Sequence, residues 1–451
     1  MTDAPRDLST LTDALLAAAT RAGADAADAI AVDGTSVSVD VLGGKLEQAE
    51  RSEGIDIGLR VLIGKRQACV SASDTKPDTL TQMAERAVAM AREAPEDPHI
   101  GLPDADQLAQ DWDVARLDLV DDAPPLTPAE LQDMAARAEA AALAVEGISQ
   151  VGSAGAGYGD RRLHLAATNG FRGGYRRTGT SLSCVAITGE GTGMERDYYG
   201  DSRLHRADLD SPEDVGRIAA ERTLARRGAT KPPTGAYPVL YDERVASTLI
   251  GHLLGAINGG SVARGASFLR DCLGEAVLPD ALTLTEDPTM ARISGSRPFD
   301  GEGLPVARRD LVRDGVLQGW VLDLATGRKL GLDSTGNAMR GTSSPPSPGA
   351  GNVVLTQGAA SRDDLIAQMG TGLVVTSMIG SSINATTGDY SRGASGFWVE
   401  NGEITGAVNE CTVAGNLREM LRSLIPANDA RTHVGRQVPS LLVEGLTIAG
   451  S

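Results

Sequence analysis

Apolar side chains recur at three- and four-residue spacing in four stretches of the first half of the chain. This pattern predicts amphipathic helices at residues 8–22, 77–94, 128–145 and 211–226. The third helix has a complete start signal, because Thr127 can cap it, Pro128 suits its first position and Glu130 can close a capping box. Ser211 followed by Pro212 gives the fourth helix a similar start.

Polar and apolar positions alternate between these helices, which is the pattern of half-buried β-strands. The predicted strands cover residues 29–32, 36–42, 46–51, 54–63, 67–73, 148–157, 162–168, 170–177 and 180–190. Gly43-Gly44 and Asn169-Gly170 supply turns between them. A helix followed by antiparallel strands thus occurs twice, from residue 8 and from residue 128. The pattern fits either an internal repeat or one interlocked sheet.

Paired prolines within residues 229–235 mark a domain boundary, because proline interrupts both helices and central strands. A helix at 242–257 follows, and then short strands separated by Gly-rich turns, which favour a β-sandwich or barrel. The predicted fold class is α+β. A helix-plus-antiparallel-sheet domain occupies residues 1–230, and a β-rich, barrel- or sandwich-like domain occupies residues 236–451.

Residues 377–407 form the most polar and turn-rich stretch of the second half. Its Asn401-Gly402 pair predicts a type I′ hairpin turn, since both residues tolerate positive φ. The run 384–391 carries a side-chain donor or acceptor at most positions and is either a tightly hydrogen-bonded connection or the lining of a site. A helix is expected at 412–424, and a long surface loop at 323–348.

The chain is acidic, with 60 Asp and Glu against 42 Lys and Arg and a formal net charge of −18. Nucleic acid is therefore not expected as a partner, because phosphate binding needs concentrated positive charge. The first 23 residues lack the features of a secretory signal, and no run is long enough to span a membrane. The four cysteines, Cys69, Cys184, Cys272 and Cys411, form no CxxC pair, which favours reduced thiols in a cytoplasmic protein.

The sequence contains no recognisable complete set of catalytic residues. No two histidines have the spacing of a helical metal pair, and a Gly-x-Ser-x-Gly elbow and a phosphate loop are absent. His252 is interpreted as a hydrogen-bonded or partly exposed helix residue, and His433 as a solvated loop residue. The acidic segment 300–303 could bind a cation, although an ordinary acidic loop is the preferred interpretation.

Several motifs are specific enough to indicate a family. The longest covers residues 387–404, TGDYSRGASGFWVENGEI. The others cover residues 54–61, 169–170, 298–303, 310–320, 335–337, 415–417 and 446–450. Together they resemble the TldD/PmbA family, and within it the PmbA/TldE type of subunit. The resemblance covers essentially the whole chain.

The resemblance implies ATP-independent proteolysis of unfolded peptides by a heterodimer, in microcin-type peptide maturation and antitoxin degradation. In that family, the TldD subunit carries a His-Glu-x-x-x-His helix and a distant Cys that bind zinc. This sequence has Ile250, Gly251 and Gly255 where His, Glu and His would stand, and residues 429–438 contain no Cys. Ile and Gly have no donor atoms, so the resemblance implies a chain with no catalytic residue and no metal of its own.

Such a chain would rely on partners. The resemblance implies zinc only in a TldD-like subunit, a heterodimer with that subunit, and a homodimer when the chain is alone. An unfolded peptide would pair along a strand edge, which is largely independent of sequence. Candidate residues for lining its channel are Asn384, Thr386, Thr387, Asp389 and Tyr390, and a purely structural turn network is at least as good an interpretation of that run.

Three hypotheses about function follow. The first is a metal-free partner subunit of a zinc peptidase. The second is a metallopeptidase acting alone through other ligands, such as His252 and His433 with acidic residues, which the missing His pair disfavours. The third is a peptide-binding or chaperone-like protein without a proteolytic partner.

Overall fold

The first half of the chain builds one six-stranded antiparallel sheet in the order β3-β2-β1-β4-β5-β6. The structure, a computed structural model, describes residues 7–450; residues 1–6, which open the segment analysed for a secretory signal, lie outside them. The strands are β1 (Ala26–Leu42), β2 (Lys45–Ile63), β3 (Arg66–Ala72), β4 (Ile148–Ala167), β5 (Arg172–Thr188) and β6 (Glu195–Arg203). The helices are α1 (Leu8–Ala22), α2 (Pro77–Glu93), α3 (Val114–Leu117), α4 (Pro128–Leu143) and α5 (Pro212–Ala225).

A unit of one helix, three strands and a second helix occurs twice in this sheet. The units are α1-β1-β2-β3-α2 and α4-β4-β5-β6-α5, and they join where β1 pairs antiparallel with β4. Both helix pairs lie on the same face of the sheet. The odd-numbered residues of β1 contact α1 and α2 near the start of the strand and α4 and α5 near its end. The two alternatives left open by the sequence are therefore both realised, as a repeated unit within one continuous sheet.

The predicted helix starts are confirmed. Thr127 and Glu130 form the reciprocal capping box of α4, and the Ser211 side chain accepts a hydrogen bond from the backbone of Asp214 at the start of α5. The predicted breaks within the long strands are wrong. Gly34 lies opposite Gly54, and Gly159 lies opposite Gly179, in uninterrupted ladders. The hydrophobic pattern is interrupted there because neither helix pair covers the middle of the sheet.

The second half of the chain contains a closed five-stranded barrel. Its strands run in the order β16-β15-β14-β7-β19, and β16 pairs with β19 to close it. A second sheet has the order β10-β9-β8-β13-β18. The α+β fold class with a β-rich second domain is thus confirmed.

The strands of this half are β7 (Gly235–Tyr241), β8 (Leu284–Glu286), β9 (Arg309–Arg313), β10 (Val316–Leu317), β11 (Ala338–Met339), β12 (Ser347–Pro348), β13 (Val353–Leu355), β14 (Gly372–Ile383), β15 (Asp389–Glu400), β16 (Glu403–Asn416), β17 (Ile425–Pro426), β18 (Arg436–Gln437) and β19 (Leu441–Ala449). The helices are α6 (Glu243–Ala256), α7 (Gly259–Ala263), α8 (Leu324–Leu330), α9 (Arg362–Met369) and α10 (Leu417–Arg422). No helix within residues 7–450 is both long and apolar enough to cross a membrane.

Tertiary pairing changes several local predictions in this half. The hairpin turn at Asn401-Gly402 is confirmed, with φ of 54° and 80°. The helix predicted from residue 412 begins only at Leu417, because residues 412–414 pair with β19 and close the barrel. The predicted surface loop at 323–348 is wrong as well, since it contains α8 and the β11–β12 pair.

A buried group of charges joins the two halves. Arg340, from the β11–β12 connection, places its guanidinium 2.5 Å from Asp28 of β1, with only 1% of its side chain exposed. Arg60 of β2 contacts the other oxygen of the same carboxylate, also at 2.5 Å. Two arginines thus share one aspartate in the interface, and removing Asp28 would leave both buried cations without their ion-pair partner.

The acidic segment 300–303 belongs to the same interface, so it is not an exposed loop. Asp300 accepts hydrogen bonds from the backbone N–H groups of Glu302, Leu304 and Ala338, and Glu302 accepts one from Leu324. Burial raises the pKa of Asp300 to about 6. Burial, reinforced by Asp300, raises the pKa of Glu302 to about 8. Backbone N–H groups thus bind both oxygens of Asp300 and one oxygen of Glu302, which argues against a cation site.

Close backbone packing completes the interface. A Cβ added at Gly58 of β2 would lie 2.1 Å from the carbonyl oxygen of Thr342. Nearby, Phe299 packs edge-to-face on Phe171, with ring centroids 5.0 Å apart. The β11–β12 connection therefore lies directly on the first sheet.

We expect Gly58→Ala to lower the free energy of unfolding by about 2 kcal/mol, because the Thr342 backbone must move to admit the methyl group. Urea unfolding followed by circular dichroism measures this change. Gly54→Ala is the matched control on the same strand, since no atom lies within 4 Å of its added Cβ. Equal effects of the two substitutions would contradict the close contact.

The free energy of unfolding of the protein should fall as the pH rises from about 5 to about 8. Glu302 has an ordinary pKa of 4.5 and a folded pKa of about 8, so the folded state binds more protons across this range. Glu302→Gln removes this titration and should make the melting temperature less dependent on pH, with a higher value than wild type at pH 9. Exposed Glu47→Gln is the control. A pH profile unchanged by Glu302→Gln would show that Glu302 does not carry the effect.

Candidate functional site

Helix α6 carries the three positions at which the sequence lacks metal ligands. Its N-terminus is held by the Asp242 side chain, which accepts a hydrogen bond from the backbone of Arg244, while the Arg244 side chain reaches Asp197 of β6 at 3.2 Å. The apolar face of α6 is buried against the barrel, and Ile250 lies on that face with no exposed surface. The α6 helix is therefore fixed between the barrel and the edge of the first sheet.

Gly251 and Gly255 place no side chain on the other side of α6. A Cβ added at Gly255 would meet no atom within 4 Å. A Cβ added at Gly251 would lie 3.0 Å from Nη1 of Arg436. The guanidinium of Arg436 thus occupies the space next to the position where the family's glutamate would stand.

The structure brings α6 next to residues 429–438, the two segments in which the sequence lacks the expected metal ligands. Arg436 lies within residues 429–438, where the sequence offers no Cys, and its backbone pairs with Val353 of β13. That pairing holds the segment against α6. Arg436 could not be recognised from the sequence, because a single arginine in a polar loop has no distinguishing pattern.

The residues at these positions do not fit a zinc ion. Zinc requires nitrogen, sulfur or oxygen donors, which Ile250, Gly251 and Gly255 do not have, and a guanidinium cation repels a metal. Within residues 7–450 no group of three or more His, Cys, Asp or Glu side chains has a geometry that could hold a metal ion.

The two histidines considered as alternative ligands lie in separate environments. The His252 ring packs edge-to-face on Tyr390, and its Nε2 is buried without a hydrogen-bond partner among the described residues. Burial, assisted by the charge of Arg392, lowers the pKa of His252. His433 Nε2 lies 3.5 Å from Asp201 of β6, and burial is also the main cause of its lowered pKa. A histidine in contact with an aspartate differs from the solvated residue expected.

The polar run after β14 is an ordered turn. Asn384 accepts hydrogen bonds from the backbones of Thr386 and Thr387, and the Thr387 hydroxyl donates to Asp389 at 2.6 Å. Asn416, at the end of β16, donates to the carbonyl oxygen of Thr387. The run 384–391 is thus a tightly hydrogen-bonded connection, which is one of its two interpretations from the sequence.

The same turn borders an open cleft of about 580 Å³, lined by residues 382–385 and 389–391. Asn384, Thr386, Thr387 and Asp389 are exposed, whereas Tyr390 is buried and donates its hydroxyl to the sulfur of Met378. The four exposed residues are available to a ligand, and Tyr390 instead connects the turn to α6 through His252. Peptide binding by these five residues stays a prediction.

The sequence matches three domains of one metallopeptidase family. Residues 27–91, 121–227 and 234–450 match PmbA/TldA metallopeptidase domain 1, the central domain and the C-terminal domain. Metalloprotease PmbA of Escherichia coli O157:H7 is 39% identical over 94% of this chain and 92% of its own length. A PmbA homolog of Haemophilus influenzae is 36% identical over 96% and 94%.

Solved structures share the whole fold. A proposed modulator of DNA gyrase from Bacteroides thetaiotaomicron superposes with a TM-score of 0.89 at 28% identity, covering 98% of each chain. TldE from Thermococcus kodakarensis superposes with a TM-score of 0.84 at 20% identity, over 97% of this chain and 99% of its own. The chain therefore belongs to the PmbA/TldD metallopeptidase family and is similar to its PmbA/TldE-type members.

Proposed function

We propose that this chain is the metal-free subunit of a two-subunit zinc peptidase that cleaves unfolded peptides. One observation carries the proposal. On α6, the positions expected to bind metal hold Ile250, Gly251 and Gly255, and the guanidinium of Arg436 lies beside the second of them. A cation in that place opposes a second cation, so zinc and the water that it activates belong to a TldD-like partner.

The role of this chain is then to hold the peptide. The exposed turn residues Asn384, Thr386, Thr387 and Asp389 lie near α6, because Tyr390 of the same turn contacts His252. Exposed polar side chains of such a turn can hydrogen-bond to a peptide main chain, which is a contact largely independent of the peptide sequence. The substrates proposed are unfolded peptides, such as microcin-type precursors and an antitoxin, processed in the cytoplasm.

The assembly proposed is a heterodimer with the TldD-like subunit, or a homodimer when the chain is alone. A second candidate function, a peptide-binding or chaperone-like protein, is favoured by the same absence of donor atoms at positions 250, 251 and 255. The two differ in whether a proteolytic partner exists. The hypothesis of a metallopeptidase acting alone has no supporting observation, since His252 and His433 contact different residues.

A reconstituted digestion assay tests the proposal. The purified chain is incubated with reduced, unfolded casein, alone and with a purified TldD-like subunit, each with and without o-phenanthroline. We expect no cleavage by the chain alone and chelator-sensitive cleavage by the mixture, at least tenfold faster than by the partner alone. Chelator-sensitive cleavage by the chain alone would contradict the proposal. No stimulation of any TldD-like subunit would favour the chaperone-like alternative.

A further inference from the structure

A small pocket of about 120 Å³ lies between α6 and the segment that precedes β19. It is lined by Glu243, Ser247, Arg431, Val434, Arg436 and Val438. Glu243, Ser247 and Gly251 follow one another at four-residue spacing, so they lie along one side of α6. The volume of the pocket is sufficient for a group of the size of a carboxylate.

The two arginines of the pocket differ in their partners. Arg431 Nε lies 2.6 Å from Glu243 Oε2, so this cation is paired. Arg436 is exposed at the mouth of the pocket and has no ion pair or side-chain hydrogen bond to any of residues 7–450. Its guanidinium lies beside Gly251, eight residues or about 12 Å along the helix from Glu243. The repulsion that Glu243 would exert on an anion is therefore balanced locally by Arg431, and Arg436 supplies the unbalanced positive charge.

Ser247 adds a neutral donor between these two ends. Its side chain is half-buried, and its hydroxyl has no hydrogen-bond partner among the described residues. A guanidinium offers two parallel N–H groups that match the two oxygens of a carboxylate, and a hydroxyl can donate a third hydrogen bond. The glycine at 251 leaves room for the guanidinium, because an added Cβ would lie 3.0 Å from Nη1 of Arg436 and a longer side chain would compete for the same space.

We propose that Arg436 and Ser247 form a carboxylate-binding site for the peptide, in the place where a family member with zinc has its metal. This rests on the proposed peptide-holding function and deepens it by naming the chemical group recognised. The carboxylate can come from the C-terminus of the peptide or from an acidic side chain. Both sources present the same two oxygens to the guanidinium, and the test separates them.

Fluorescence anisotropy with three labelled decapeptides of Ala, Ser and Thr tests the site on the full chain at low salt. The first peptide has a free C-terminal carboxylate, the second a C-terminal amide, and the third an amide and one internal Glu. We expect the first or the third to bind wild type about tenfold more tightly than the second, since a charge-assisted bidentate contact is lost in the amide. The tighter of the two identifies the source of the carboxylate.

Two substitutions assign the effect to the pocket. Arg436→Gln should reduce the affinity for the carboxylate peptide to that for the amide. Gly251→Glu should do the same with Arg436 still present, because the new carboxylate would pair with the guanidinium. Arg86→Gln, an exposed arginine of α2, is the matched control and should leave all three affinities unchanged. Melting curves confirm that each variant is folded.

Equal affinities of wild type for all three peptides, retention of the difference by Arg436→Gln, or no binding of any peptide would overturn the site. The outcome is separable from that of the proposed function. Partner-dependent cleavage with equal affinities for acid and amide would refute only the carboxylate site. Cleavage by the chain alone would refute the metal-free role, whatever the peptide affinities.

Discussion

The contact of Asp28 with Arg340 and Arg60 is the interaction on which the arrangement of the two halves depends. One buried carboxylate is shared by two guanidinium groups, one from each side of the interface. Loss of one partner of a buried ion pair typically costs several kcal/mol, so this contact specifies a single relative placement of sheet and barrel. The close approach of Gly58 to Thr342 requires the same placement. The edge strand β6 and α6 are brought together as a consequence, through Arg244 and Asp197.

Within this frame, α6 is fixed in place, and its residues Ile250, Gly251 and Gly255 carry no donor atoms for a metal. The apolar residues that bury it, including Ile250, stabilise the helix, and its glycines open space on the other side. Arg436 lies in that space. On our proposal, the positive charge of Arg436 makes this a site for an anion of the peptide.

Local chemistry explains which elements could be predicted. The capping box of Thr127 and Glu130 and the Asn401-Gly402 turn depend on residues a few positions apart, so the sequence contains the whole signal. The continuous β1 could not be predicted, because Gly34 stays in the ladder through its partners on two other strands. The burial of the acidic segment at 300–303 could not be predicted either, because its hydrogen-bond donors include the distant residues Leu324 and Ala338. Arg436 is recognisable as a candidate binding residue only from its position beside Gly251 in the structure.

On our proposal, zinc is bound by the TldD-like subunit and not by this chain. Native mass spectrometry of the complex with a TldD-like subunit, followed by gas-phase dissociation into single subunits, assigns the metal to one chain directly. We predict one zinc ion retained by the TldD-like subunit and the bare protein mass for this chain. One zinc ion retained by this chain would contradict the account.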